Sequence, residues 1–210
     1  LFLKRDGSLW AMGFNDSGLF GASPYGSGNH TTLPEQIVAS NVTEIAAASY
    51  HSMFLKSDGS LWVMGANDDG ELGDGTYNST NWPEQIVASN VTAIAAGGVH
   101  SLFLKKDDSL WAMGYNYDGE LGDGTYSYNT NIPEQIVASD VTTIAAGFNY
   151  SMFVKSDGSL WVIGNNQYGK LGYGSEKNTK RPEQSGAGIA VYNRIFGELL
   201  ETGDMRLSFF

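Results

Sequence analysis

The sequence predicts an all-β protein built from four copies of one unit. The motif Ser-Leu-Trp-x-x-Gly recurs with its tryptophan at positions 10, 62, 111 and 161, so the copies are 52, 49 and 50 residues apart. The segments around each tryptophan are short apolar runs punctuated by Gly, Asp and Pro, without a helical period. A repeat of about 50 residues made of short strands is typical of a propeller blade.

The second unit provides the template for the elements. It is expected to run strand, turn, strand, strand, loop and strand over residues 41–48, 49–52, 53–56, 61–64, 76–82 and 83–87. The alanines of the first strand favour tight packing near a crowded axis. Asp58-Gly59 is typical of a hairpin turn between the two middle strands. Pro83 opens the last strand, a position where the missing N–H is tolerated.

Two departures from the template set the expected domain organisation. The third unit has Asp107-Asp108 where the others have Asp-Gly, so its turn is expected to be slightly strained or of another type. The fourth unit loses the pattern at residue 185. We therefore divide the chain into repeats over 1–184, about four units with the first one truncated, and a non-repeat β tail over 185–210. This tail is either the start of another domain or a cover for the last open edge.

Composition excludes several classes of protein. The 210 residues include 41% hydrophobic and 12% aromatic side chains, which predict a folded chain with a sizeable core. The absence of Cys excludes disulfides, zinc–thiolate sites and thiol catalysis. A net charge of -11 argues against sequence-independent nucleic-acid binding, and no apolar run reaches the roughly 18–20 residues of a membrane helix. We expect neither nucleic acid nor membrane as a partner.

The third unit carries a resemblance to a known family. His100 to Gly122 reads His-Ser-Leu-Phe-Leu-Lys-x-Asp-x-Ser-Leu-Trp-x-Met-Gly-x-Asn-x-x-Gly-Glu-Leu-Gly. This run resembles the repeat of the regulator of chromosome condensation (RCC1) family, and the resemblance covers roughly residues 1–184. The family implies a β-propeller, usually of seven blades. The predicted fold is thus an RCC1-like β-propeller segment of about four blades, incomplete relative to a seven-bladed ring.

An incomplete ring leaves blade edges open, and a propeller normally removes its edges by closing on itself. The alternatives are a tighter four-blade ring, two chains in one larger ring, or a fragment stabilised by other contacts. The chain opens inside a unit, which favours a processed chain or a fragment. Because the units are so similar, the segment is self-complementary, and we expect a homodimer through the open blade edges.

The repeated polar residues are expected to be structural. The asparagines of the Asn-x-x-Gly turns are expected to cap those turns instead of forming a ring of ligands; they are Asn15, Asn67, Asn116 and Asn166. The tryptophans are expected to pack the blades. The acidic loop at Asp68, Asp69 and Glu71 could hold Ca²⁺, but its spacing fits no EF-hand and the fourth unit has Lys170 at the Glu position. No metal and no other cofactor is expected.

The sequence contains no convincing catalytic constellation. Ser52, His51 and Asp58 could be imagined as a triad, but adjacent residues on a strand point to opposite faces. No phosphate-binding loop, HExxH or GxSxG motif is present. We therefore expect no enzymatic activity and no catalytic residues.

The variable loops provide the candidate site. Between the Gly-rich turn and the proline, three of the four loops are rich in Tyr, Ser, Asn and Gly, as antibody loops are. Loops that vary between repeats map to one face, often the binding face. A second variable set lies beside them and includes Phe14, Tyr50, Tyr115 and Phe148. The candidate partner-binding residues are Tyr25, His30, Tyr77, Trp82, Tyr126 and Tyr128.

These observations predict a non-enzymatic protein-binding propeller module that uses aromatic loops on one rim, with acidic loops that steer a basic protein partner. The family includes a bacterial propeller that inhibits β-lactamases, and this resemblance implies binding through rim loops. One alternative is an architectural module of a larger secreted or surface protein. Another is a regulator similar to a guanine nucleotide exchange factor, against which the acidic charge counts. Few Lys and many Asn, Ser and Thr favour an extracellular or cell-surface location.

Overall fold

The computed structural model describes residues 1–15, 18–19, 30–126 and 129–186, and this part of the chain contains fifteen β-strands and one 3-10 turn, Gln167–Gly169. Tyr25, Tyr128 and the tail from residue 187 lie outside the described residues. The strands are β1 Phe2–Leu3, β2 Leu9–Phe14, β3 His30–Val38, β4 Val42–Ala47, β5 His51–Lys56, β6 Leu61–Gly65, β7 Thr80–Val87, β8 Val91–Ala96, β9 His100–Lys105, β10 Leu110–Gly114, β11 Thr130–Val137, β12 Val141–Ala146, β13 Tyr150–Lys155, β14 Leu160–Gly164 and β15 Thr179–Gln184.

The strands form four antiparallel sheets, and each sheet follows chain order. Blade 1 contains β1 to β3, blade 2 contains β4 to β7, blade 3 contains β8 to β11 and blade 4 contains β12 to β15. The predicted all-β propeller architecture is confirmed. None of the helices within the described ranges is long and apolar enough to cross a membrane.

The first strands of the complete blades lie against one another at the inner edge. β8 contacts both β4 and β12, and each of these strands ends in two alanines. Small side chains allow this close approach, as the sequence predicts. The backbone ties neighbouring blades together there, because Val91 N donates to Gly59 O at 3.0 Å and Val141 N donates to Asp108 O at 3.1 Å.

A polar clasp fixes the hairpin between the two middle strands of each blade. In blade 2, Trp62 Nε1 donates to Ser60 Oγ at 2.9 Å, and Ser60 Oγ donates to Asp58 Oδ1 at 2.6 Å. Lys56 Nζ lies 3.9 Å from the centre of the Trp62 ring. The ring of Phe54 is stacked against Trp62 as well. The other blades repeat the clasp, so the tryptophans pack the blades as expected.

The Asp107-Asp108 turn has the same geometry as the Asp-Gly turns. Asp108 N donates to Lys105 O at 2.9 Å, just as Gly59 N donates to Lys56 O at 2.9 Å. Asp108 has φ 60°, in the left-handed region that Gly59 occupies with φ 77°. The expectation of slight strain therefore holds, because a side chain is disfavoured in this region, whereas the alternative of another turn type is wrong.

Two strands begin earlier than the sequence predicts. His51 and Ser52 belong to β5 and not to a turn, because they pair with Gly65 and Met64 of β6. β7 begins at Thr80, so the expected loop at 76–82 ends in strand.

Pro83 consequently lies within β7 and not at its start. The strand tolerates it because the register shifts between Val63 and Gly65 of the neighbouring strand, and because β7 is the outermost strand of its sheet. Thr80 closes this bulge, since its Oγ1 donates to Trp82 O at 3.1 Å and accepts from Trp82 N at 3.2 Å. The bulge turns the Trp82 side chain outward.

The hydrophobic core lies between blades, with one cluster at each of the three blade junctions. At the junction of blades 2 and 3, Leu72 from the loop after β6 packs with Phe103 and Met113. Gly70 allows this loop to approach, because a Cβ there would lie 2.7 Å from the Thr130 carbonyl oxygen and φ is +82°. The Gly-Glu-Leu-Gly loop of one blade is therefore part of the next blade's packing.

Candidate protein-binding rim

One rim of the blade array carries the long connections between strands. The turns that join the first two strands of blades 2 to 4 and the described parts of the loops that join their last two strands lie there, at 48–50, 66–79, 97–99, 115–126, 129, 147–149 and 165–178. We call this the loop rim. The opposite, hairpin rim carries the short hairpins at 57–60, 106–109 and 156–159.

A buried asparagine organises each long loop. Asn67 Oδ1 accepts from Leu72 N at 2.9 Å, and its Nδ2 donates to Asp74 Oδ1 at 3.0 Å. Asn116 and Asn166 accept in the same way from Leu121 N and Leu171 N. The predicted turn-capping role is confirmed for these three residues, and Asn15 is buried as well.

A serine of one blade holds the loop of the preceding blade. Ser101 Oγ donates to Glu71 O at 2.8 Å and lies 2.8 Å from His51 Nε2. Because the hydroxyl has one proton and gives it to the carbonyl, the imidazole is the donor in the second bond. Ser151 repeats this bridge with Glu120 O at 2.7 Å and His100 Nε2 at 3.0 Å.

This arrangement differs from a catalytic pair. Burial lowers the pKa of His51 to about 3 and that of His100 to about 4, so both imidazoles are neutral at pH 7. The Ser101 hydroxyl donates away from its histidine and is not activated by it. The imagined triad does not assemble, because His51 bonds to Ser101 while Asp58 accepts from Ser60 on the hairpin rim.

The glutamates of the acidic loops are buried between blades. Glu71 Oε2 accepts from Asp69 N, and Glu120 Oε2 accepts from Asp118 N, both at 2.9 Å. Burial raises the pKa of each glutamate to about 7. Within the described ranges, no group of three or more His, Asp or Glu side chains is arranged to hold a metal ion.

The predicted partner-binding residues that the structure describes lie on or beside the loop rim. Tyr77 and Tyr126 expose about half of their rings, but their hydroxyls donate to Asn129 O at 3.1 Å and Asn178 O at 2.8 Å in the next blade's loop. They thus also tie neighbouring loops together. Trp82 is well exposed on the bulge of β7, and His30 is exposed at the start of β3.

Sequence reasoning missed several exposed side chains of the same rim. Tyr117 and Tyr168 occupy the two variable positions of the Asn-x-x-Gly turns, and the signal that could have found them is that these positions differ between units. Leu33 and Ile132 occupy the bulge position of Trp82 in blades 1 and 3. The large hydrophobic side chains exposed on the described residues are Met12, Phe14, Leu33, Tyr50, Tyr77, Trp82, Tyr117, Tyr126, Ile132, Phe148 and Tyr168.

These exposed side chains share one location. Each belongs to a loop-rim connection, to the end of β2 that reaches this rim, or to the part of an outer strand that leaves it. Within the described part of the chain, the hairpin rim exposes none. The structure therefore has one rim with exposed aromatic and aliphatic side chains and one polar rim.

Comparisons with known proteins agree with this architecture. The regulator of chromosome condensation (RCC1) repeat matches residues 6–55, 58–104, 107–154 and 157–187. Over 77 residues the chain is 34% identical to the human E3 ubiquitin-protein ligase HERC2, a match that covers 35% of this chain and 2% of that protein.

Solved structures resemble most of the chain. Human WBSCR16 has a TM-score of 0.76 at 25% identity over 86% of this chain and 48% of its own. Yeast RCC1 (Prp20), solved bound to Kap60, has a TM-score of 0.75 at 24% identity over 87% of this chain and 45% of its own. The chain thus spans about half the length of these structures and a small part of the curated relative.

The buried glutamates predict a pH dependence of stability. Each holds its proton in the folded chain up to about pH 7, whereas the unfolded chain releases it near 4.5, so the free energy of unfolding falls as pH rises through this window. Glu71→Gln/Glu120→Gln removes this fall. We expect the double variant to gain stability relative to the parent between pH 4.5 and 7, with a constant difference above.

Urea unfolding of both proteins at a series of pH values measures this gain. The neutral histidines lower stability as pH falls below 6.5, but they do so in both proteins and cancel in the difference. Glu84→Gln, which makes the same change at an exposed glutamate of β7, serves as the control. A difference between parent and double variant that does not change with pH would contradict the account.

Proposed function

This chain belongs to the regulator of chromosome condensation (RCC1) repeat family, and from that premise we propose that it is a non-enzymatic module that binds a protein through the loop rim. The yeast relative has been solved bound to Kap60, and its binding to Gsp1p and histones has been described. Protein binding therefore has precedent among relatives with this fold. The partners of those relatives are not assigned to this chain.

The observation that carries the proposal is the one-sided distribution of exposed hydrophobic side chains. Contiguous exposed apolar surface on a folded protein is typical of an interaction site. Aromatic side chains such as Trp82, Tyr117 and Tyr126 supply large contact area at little conformational entropy. The hairpin rim offers Ser, Asp, Gly and Lys at the corresponding places.

Charge favours a basic partner. The long loops of blades 2 and 3 place acidic side chains on the loop rim, and the whole chain has a net charge of -11. Surface carboxylates of this kind speed association with a basic partner and disfavour acidic competitors. The exposed or half-buried acids of these loops are Asp68, Asp69, Asp74, Asp118 and Asp123.

A displayed library of random peptides tests the proposal without a known partner. Peptides are selected on the parent chain and their affinities are measured for two double variants. We expect Trp82→Ala/Tyr117→Ala on the loop rim to weaken binding by about tenfold or more, because truncating an aromatic anchor costs roughly 2 kcal/mol. Lys106→Ala/Ser156→Ala on the hairpin rim should leave the affinity unchanged.

Two outcomes would contradict the proposal. One is that both double variants weaken the selected peptides equally. The other is that the library yields no peptide that depends on the loop rim, which would favour the architectural alternative. The extracellular or cell-surface location stays a prediction.

We also propose the homodimer expected from the sequence. Met12 is 55% exposed, whereas its equivalents Met64 and Met113 are fully buried, and Met113 is covered by the preceding blade at Gly73. Met12 of blade 1 therefore lies on a surface that, in blade 3, is covered by the Gly-Glu-Leu-Gly loop of the preceding blade. At the other end, the loop of blade 4 presents the matching sequence from Gly169 to Gly172. A second copy would supply the loop that Met12 lacks among the described residues.

Solution mass by light scattering over a hundredfold concentration range checks this proposal. We expect about twice the mass of the 22.6 kDa chain, reduced to a single chain by Met12→Glu, which places a charge in the blade junction. A constant monomer mass of the parent chain would show that no second copy binds there.

A further inference from the structure

We propose that the loop rim contains a built site for one cationic side chain of a protein partner, a lysine ammonium or an arginine guanidinium. The site consists of Asp69, Asp118 and Glu120 with the rings of Tyr115 and Tyr117. It rests on the proposed function, because it specifies which chemistry of a basic partner the rim recognises.

Unpaired acceptors mark the site. Glu120 is fully buried, and its Oε1 has no hydrogen-bond partner. The buried Oδ1 atoms of Asn129 and Asn149 also lack partners. Their amide donors are already committed, because Asn129 Nδ2 donates to Asp69 Oδ1 at 2.5 Å and Asn149 Nδ2 donates to Asp118 Oδ2 at 3.1 Å. A group that brings several donors and no acceptor would satisfy this arrangement, and ammonium and guanidinium are such groups.

The Asp118 carboxylate is held in place by amides and not by a cation. Its Oδ1 accepts from Asn178 Nδ2 at 2.7 Å, and its Oδ2 accepts from Asn165 Nδ2 at 3.1 Å in addition to Asn149. Neutral donors fix the position of the charge without neutralising it. Within the described ranges, no Lys or Arg nitrogen bonds directly to Asp69, Asp118 or Glu120. Lys170 is linked to Asp118 through Asn165, to whose Oδ1 its Nζ donates at 2.6 Å, and it does not pair with the carboxylate itself.

The pKa of the neighbouring Tyr115 hydroxyl is consistent with a cluster of negative charge at this site. The pKa of Tyr115 is raised first by burial and then by the charges of Glu120, Asp118 and Asp69, in that order. These three carboxylates therefore act together on the ring. Asp118 and Asp69 likewise add to the effect of burial on Glu120, whose pKa is raised to about 7.

Two aromatic rings complete the site on the solvent side. The centres of the Tyr115 and Tyr117 rings are 5.2 Å apart with 31° between their planes, and Tyr117 is largely exposed. The faces of such rings attract cations, most strongly where water is partly excluded. A lysine or arginine side chain can pack its aliphatic stem on these rings while its charged group approaches the half-buried carboxylates of Asp69 and Asp118 above the buried Glu120.

The combination of Tyr115, Tyr117 and Glu120 occurs in blade 3 alone, although the blades share their framework. The positions of Tyr115 and Tyr117 hold Ala66 and Asp68 in blade 2, while blade 4 has Asn and Gln there and Lys170 in place of Glu120. Blade packing therefore does not require this combination. A side-chain set that is confined to one blade fits a specific contact better than it fits a repeated structural role.

Titration of the isotopically labelled chain by NMR tests the site directly. The probes are the N-acetyl methylamides of lysine and arginine, and the matched control is that of norleucine, which has a lysine-like stem without the charge. At constant ionic strength and pH 8 we expect saturable shifts at the Tyr115–Tyr117 segment and at the side-chain amide of Asn149 with both cations. Norleucine should cause none.

Two variants sharpen the test. Glu120→Gln keeps the shape of the side chain and removes its charge, so we expect lysine binding to weaken about tenfold at pH 8. The parent should bind more tightly at pH 8 than at pH 6, because Glu120 becomes ionised between them, and Glu120→Gln should lose this dependence. Asp118→Asn should weaken binding as well.

Equal shifts with norleucine, shifts that do not saturate, or unchanged binding by both variants would overturn the cation site. The peptide selection separates this failure from failure of the proposed function. Rim-dependent peptides without a required Lys or Arg would preserve protein binding by the rim and remove the cation site. Rim-dependent peptides whose affinity needs one Lys or Arg, and which Glu120→Gln weakens, would support both.

Discussion

Blade 3 is fixed to blade 2, and blade 4 to blade 3, by a buried serine hydroxyl that joins two groups of the preceding blade. Ser101 gives its proton to the carbonyl of Glu71 and accepts from the imidazole of His51, which burial keeps neutral. This bond seats the Gly-Glu-Leu-Gly loop against the following blade, where Leu72 completes the core. The position of the loop rim, including its aromatic side chains, depends on that seating.

The same loops contain two buried glutamates, Glu71 and Glu120. Glu120 is buried with one oxygen unpaired, and its carboxylate is disfavoured by the charges of Asp118 and Asp69. A glutamine of the same shape would meet the packing requirement without that electrostatic penalty. Sites that bind ligands commonly sacrifice stability in this way. Binding of a partner's cation would give the charge of Glu120 a function that packing does not explain.

The period of about 50 residues, the Asp-Gly hairpins and the alanine-rich first strands made the blade predictable, because these are local patterns. The contact of His51 with Ser101 was not predictable, since it joins the same two motif positions in successive units and depends on how blades stack. The sequence likewise indicated Tyr77 and Tyr126 as exposed loop aromatics but not that their hydroxyls bond to the next loop. The cation site is hidden for the same reason: Asn129 and Asn149 approach Asp69 and Asp118 only across blade junctions.

Urea unfolding of Ser101→Ala, with Ser52→Ala as the control, tests most directly whether the serine hydroxyl holds the loop of the preceding blade in place. Ser52 is the equivalent buried residue of blade 2, and no described histidine bonds to it. We expect Ser101→Ala to lower the free energy of unfolding by about 1–3 kcal/mol more than the control, because it leaves His51 Nε2–H and Glu71 C=O buried without a partner. Equal losses for the two variants would contradict the claim that this hydroxyl holds the blades together.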